Sequence, residues 1–153
     1  MVEVLKEVAL PPPAAFKLFT EAFFQWWPHA YSLSGDLLED LIIGGKTGEL
    51  CSEIGPSGFR IDFGRVLEWS PPTSLTLSWQ VSPDSRPEPD PAKASRVHVE
   101  FVPMGGATEV RLTHDQFANH GEGGEAYASE MASDLGWPYI LELFREFASR
   151  QVG

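Results

Sequence analysis

Large apolar residues recur near the end of the chain at Trp137, Ile140, Leu141, Phe144 and Phe147, and Glu142, Arg145, Glu146, Ser149 and Arg150 take the positions between them. Steps of three and four residues predict an amphipathic helix, placed over Ser129 to Gln151 with one broad apolar face. At about 1.5 Å per residue such a helix spans roughly 30 Å, enough to lie across a sheet of ten-residue strands. Gly136 and Pro138 interrupt the pattern. A proline inside a helix removes a backbone hydrogen bond and clashes with the preceding turn, so the helix is expected to kink or start afresh there.

Before this segment the dominant period is two. Val2 to Leu10 reads as a strand ended by Pro11, Pro12 and Pro13, and a short helix follows over Ala14 to Phe24, with Phe16, Phe19, Ala22 and Phe23 on its apolar face. Gln25 to Gly35 carries Trp26, Trp27, Pro28, His29 and Tyr31, aromatic where a connecting loop is ordinarily polar, so it must cover something apolar. Four strands are predicted at Leu38–Ile43, Thr47–Ile54, Phe59–Trp69 and Ser74–Val81. The last two are joined through Ser70-Pro71-Pro72-Thr73 as a hairpin, and Gly64 marks a bulge or a close approach. In the fourth strand Leu75, Leu77, Trp79 and Val81 alternate with Thr76, Ser78 and Gln80, the pattern of one buried face.

Ser82 to Ala94 holds Pro83, Pro87, Pro89 and Pro91 among charges and reads as an extended, solvated loop. A second hairpin turns at Gly105-Gly106, with Val97, Val99 and Phe101 facing inward from Val97–Val102, and Val110, Leu112 and His114 from Glu109–Phe117. Asn119 to Gly124 leads into the final helix. One strand, one or two short helices, about six antiparallel strands and a long helix make an α+β layout with helices against one face of a sheet. The 153 residues are expected to form one domain, 1–153, with a sizeable core.

Charge removes several classes of partner. A formal net charge of -11 repels a nucleic-acid backbone and an anionic membrane surface at long range. No apolar stretch is long enough to insert in a bilayer and no secretory leader is legible, so the expectation is a cytoplasmic protein. The single cysteine, Cys51, rules out an internal disulfide, and its strand-like surroundings offer no cation to activate it. The four histidines lack metal-pair spacing, and there is no nucleophile elbow, P-loop or dinucleotide fingerprint; no metal, cofactor or catalytic residue is assigned.

What remains is apolar. Trp26, Trp27, Phe63, Leu77, Trp79, Phe101, Leu112, His114, Trp137 and Leu141 all fall on inward positions of strands, the final helix or the aromatic loop, and are the candidate ligand-binding residues. They can equally pack against one another. Four of the five tryptophans are among them, and each indole N–H needs a partner. His114 is the one titratable side chain turned inward by alternation, either a polar anchor or a satisfied core histidine. Asp115 faces the opposite side of the same strand and forms no relay with it. Asp62, Arg65 and Glu68 stand near Gly64, where a bulge would be needed to turn one inward.

Trp26-Trp27-Pro28 after the first helix, Gly64-Arg65-Val66 followed by Pro71-Pro72, Leu75 and Trp79, Thr108 to His114 with Phe117, and Gly136-Trp137 with Leu141 resemble, in pattern and order, the START-like or Bet v 1-like superfamily (SRPBCC), and within it the branch of the activator of heat-shock-protein-90 ATPase. The resemblance covers nearly the whole chain. It implies a helix-grip fold: a curved antiparallel sheet of about six or seven strands wrapped around a long C-terminal helix, with an apolar cavity between them that takes lipids, sterols, polyketides or other hydrophobic molecules. The expected function is therefore binding of a small hydrophobic or aromatic ligand, more in keeping with a binder than an enzyme. A chaperone-associated interaction protein is the alternative, and a cyclase or hydrolase-like enzyme using the same cavity is a third.

Overall fold

The computed structural model describes residues 1–152. Pro11 caps and Pro12 opens the first helix, α1 (Pro12–Glu21), where a missing N–H costs nothing. Ala22, at φ -101° and ψ 20°, separates it from a single further turn, α2 (Phe23–Trp26), so the one helix expected over Ala14 to Phe24 is two.

Seven strands follow the expected hydrophobic runs: β1 (Val2–Val8), β2 (Asp40–Ile42), β3 (Leu50–Ile54), β4 (Arg60–Ser70), β5 (Ser74–Trp79), β6 (Ser95–Met104) and β7 (Ala107–Asp115). They form one curled antiparallel sheet in the order β1-β7-β6-β5-β4-β3-β2. Both expected hairpins are present, with Ser70 opposite Ser74 and Met104 opposite Ala107. Two register shifts bend β4. At the first, Phe63 is the extra residue beside Gly64, and the bulge turns its ring onto the concave face, 6.0 Å from the Trp79 ring. A Cβ on Gly64 would lie 2.2 Å from the Ser78 carbonyl oxygen, so the close approach read from the sequence is also present.

The fourth predicted strand differs in one respect. All six residues of β5 are buried, including Ser74, Thr76 and Ser78 on the convex side. As the middle strand of seven it has neighbours on both flanks, and its hydroxyls are engaged by Glu68, His98 and Gln80.

The long helix expected over Ser129 to Gln151 is two helices, α3 (Gly124–Ala132) and α4 (Trp137–Ser149). Pro138 falls in the first turn of α4, where its missing N–H is harmless, and the preceding backbone leaves the helical path. The apolar face of α4 is the one anticipated, with Trp137, Ile140, Leu141, Phe144 and Phe147 all buried over the concave face of the sheet. Helix and curved sheet together make the helix-grip arrangement.

At the Leu75 end of β5 the palm is filled by rings. Phe16 and Phe101 stand 5.1 Å apart, Phe19 and Phe144 5.1 Å, and Phe19 and Phe101 5.6 Å. The proline-rich loop is mostly exposed, as expected, but it is not extended. Val81 bridges Pro87, the Ser82 N–H donates to the Arg86 carbonyl at 2.8 Å, and the Glu88 N–H donates to the Gln80 carbonyl at 2.8 Å. These bonds fold the segment back on itself, and its prolines, which lack an N–H, leave no donor unpaired at their own positions.

Candidate functional site

At the Trp79 end of β5 the palm is open. A cavity of about 470 Å³ lies there, walled by Trp27, Phe63, Trp79 and Ile140, and closed above by α3, the α3–α4 connection and the proline-rich loop through Tyr127, Leu135 and Pro83. The two ends differ because Phe101 and Phe144 project into the first, while the bulge at Phe63 and the break before α4 hold the walls of the second apart.

Of the ten residues proposed from the sequence, the structure brings Trp27, Phe63 and Trp79 to the cavity wall. The four tryptophans do converge: Trp27 stands 6.0 Å from Trp79 and 6.0 Å from Trp137, Trp79 and Trp137 are 5.5 Å apart, and Trp26 is 6.1 Å from Trp27. Two of them stand back from it. Trp26 faces the filled end, against Phe19 and Phe144, and its N–H donates to the Phe19 carbonyl at 3.1 Å. Trp137 forms a second layer behind Trp79. Leu77, Phe101, Leu112 and Leu141 lie in the solid core and not on the cavity, since neighbouring strands and α4 close over them.

His114 is also off the cavity, and its chemistry is settled by its neighbours. The Trp137 indole N–H donates to Nδ1 at 2.9 Å, so that nitrogen carries no proton. Nε2 must then hold the proton and donates it to Ser95 Oγ at 2.7 Å, which leaves the serine hydroxyl to donate to His120 Nε2 at 2.7 Å. Burial above all, with His120 nearby, pushes the His114 pKa down to about 3. It is a neutral, fully bonded core histidine. Cys51 is equally inert, its thiol pushed up to about 12 by burial. Asp62 bonds Ser52 and Arg60 at the surface, Glu68 bonds Ser74 on the convex side, and neither lines the cavity.

The cavity's polar points come from residues that the sequence reading passed over. Tyr127, on α3, accepts a hydrogen bond from Trp79 Nε1 at 2.8 Å, and among the described residues nothing accepts the proton of its own hydroxyl. Burial pushes that phenol up to about 12, so the proton stays on at neutral pH. Glu53, on β3, is 4% exposed. Its carboxylate accepts from the Leu33 N–H at 2.7 Å, the Ser34 N–H at 2.8 Å and Ser34 Oγ at 2.5 Å, fixing the aromatic loop that forms one rim. Tyr31 crosses the mouth, its hydroxyl donating to the Leu135 carbonyl at 2.9 Å and its ring 5.9 Å from Tyr139. The i, i+4 pair Tyr127 and Met131 is the one local trace of α3, too sparse to mark the helix by itself. No local pattern marks Glu53, whose partners lie 19 and 20 residues away.

Residues 9–148 match the family model described as activator of Hsp90 ATPase homolog 1-like protein. Among solved structures, Txn09, an anthrahydroquino-gama-pyrone synthase solved as a complex, is 30% identical over 95% of this chain and 96% of that one, with a TM-score of 0.65. CalC, a self-sacrificing resistance protein from Micromonospora echinospora, is 26% identical over 98% and 94%, with a TM-score of 0.67. The Aha1 dimer from Colwellia psychrerythraea, 14% identical over 100% of both chains with a TM-score of 0.63, has the same fold. The curated proteins give no match.

Proposed function

The chain belongs to the family of activator of Hsp90 ATPase homolog 1-like proteins, and from that premise we propose that it binds one small aromatic molecule in the cavity between β4, β5 and the α3–α4 pair. The observation that carries this reading is a space of about 470 Å³ walled by Trp27, Phe63 and Trp79, with Tyr127 and Glu53 as its polar points. Small-molecule sites run from roughly 300 to 1,000 Å³ and combine apolar walls with a few placed polar groups. Indole and phenyl walls suit a flat ring system, held edge to face or offset. The 30% identical relative named as an anthrahydroquino-gama-pyrone synthase supports an aromatic ligand.

The lining favours holding over turnover. Glu53 already accepts three hydrogen bonds, the Tyr127 phenol keeps its proton, and no histidine or cysteine lines the space. The side chains that most often serve as general acid or base near neutral pH, histidines, are absent from this lining. Association with a chaperone has only the family name behind it, whereas a ligand has the cavity.

The test uses N-phenyl-1-naphthylamine, a neutral aromatic fluorophore. Saturable binding at one site is expected, and Ala30→Trp, placing a large ring at an exposed lining position, should weaken it at least tenfold with no change in thermal midpoint. Fluorescence that rises without saturating, or that ignores Ala30→Trp, would end this reading.

A further inference from the structure

Glu53 has no counter-ion. None of the ion pairs among the described residues includes it, although its side chain is withdrawn from solvent and lines the cavity. A buried carboxylate without a cation is costly, and three hydrogen bonds offset that cost only in part. A carboxylate offers about four lone-pair sites, so three donors leave about one open. The other charged lining residue is Glu130, also acidic, and no lysine, arginine or histidine lines the space. Trp27, Trp79 and Tyr127 line the same cavity as the carboxylate, and aromatic π-systems attract cations. A net charge of -11 places the mouth in a field that draws cations and repels anions.

We propose that the cavity selects an aromatic ligand bearing a basic amine, with its ammonium group beside Glu53, and rejects the matching carboxylate. The proposal rests on the binding function above and names its substrate class. The ammonium completes the hydrogen bonding of Glu53 and supplies the missing positive charge, while the ring takes the place between Trp27, Phe63 and Trp79. A carboxylate on the same ring would meet Glu53 and Glu130 with no cation to receive it.

Three naphthalenes of nearly equal size separate charge from shape: 1-naphthylmethylamine, 1-naphthylmethanol and 1-naphthoate, each titrated against the full chain saturated with N-phenyl-1-naphthylamine. The amine is expected to displace the fluorophore at a concentration at least tenfold lower than the alcohol, and the naphthoate to be the weakest of the three. Glu53→Gln should bring amine and alcohol within about threefold of each other, provided circular dichroism shows an unchanged fold. The comparison on the unaltered protein decides the matter even if that variant does not fold. If the alcohol or the naphthoate competes as well as the amine, the charge selection is overturned and the cavity remains a binding site. If the fluorophore itself does not bind, the proposed function falls and takes this inference with it.

Discussion

His114 shows what one side chain does when every hydrogen-bonding atom is committed. Its pKa lies near 3 in the folded chain against 6.5 when solvated. Below about pH 6.5 the unfolded chain binds a proton that the folded chain refuses, so this contribution to stability is complete above that pH and lost as the pH falls toward 3. The loss is about 1.4 kcal/mol per pH unit, or about 2 kcal/mol between pH 7 and pH 5. His120, lowered by burial in the same direction, adds to it. Urea unfolding at the two pH values should show this loss, and His114→Gln should be less stable at pH 7 but visibly less sensitive to acid. The inward placement of His114 was legible from alternation along one strand. Its partners were not, because Ser95 and Trp137 arrive from a different strand and a helix.

Among the elements, α4 was readable and α3 was not. Five large apolar residues at helical spacing define the face of α4, and Gly136 with Pro138 locate the break before it. In α3 only Gly124 and Tyr127 are buried, too sparse a stripe to stand out beside the following helix. A Cβ on Gly136 would lie 2.3 Å from the Met131 carbonyl oxygen and 2.5 Å from that of Glu130, so the two helices meet at a residue that must stay small. What α3 contributes is the Tyr127 hydroxyl, bonded to Trp79. Tyr127→Phe should lower stability by about 1 to 3 kcal/mol, because the Trp79 N–H is left buried without an acceptor. Chemical denaturation measures this directly, and a loss close to zero would mean that the indole finds another partner. The proline-rich loop is solvated over most of its length, as its composition indicates, but composition does not report the cross-links at Val81, Ser82 and Glu88 that fold it back over the mouth.

The whole molecule divides into a filled end and an open end of one palm, and the two answer differently to substitution. Phe144 is fully buried among Phe19 and Trp26, so Phe144→Ala should cost about 3 to 5 kcal/mol and leave the cavity walls in place. Leu135, 70% exposed at the mouth, should tolerate alanine within about 0.5 kcal/mol, as surface positions do. Thermal unfolding of the pair checks the contrast. The sequence carried the α+β class, the strand order along the chain and the tryptophan cluster, because each is written in local periodicity. It did not carry the cavity's outline, which depends on a bulge, a helix break and a loop that meet only in three dimensions. The bond from Tyr31 to the Leu135 carbonyl lies across the entrance, exposed and between neutral groups. Breaking such a bond costs about 1 kcal/mol at equilibrium, little enough that the mouth can open without unfolding of the sheet. The bond itself adds little selectivity to entry, and guests of like charge that pass it are told apart by how long they stay.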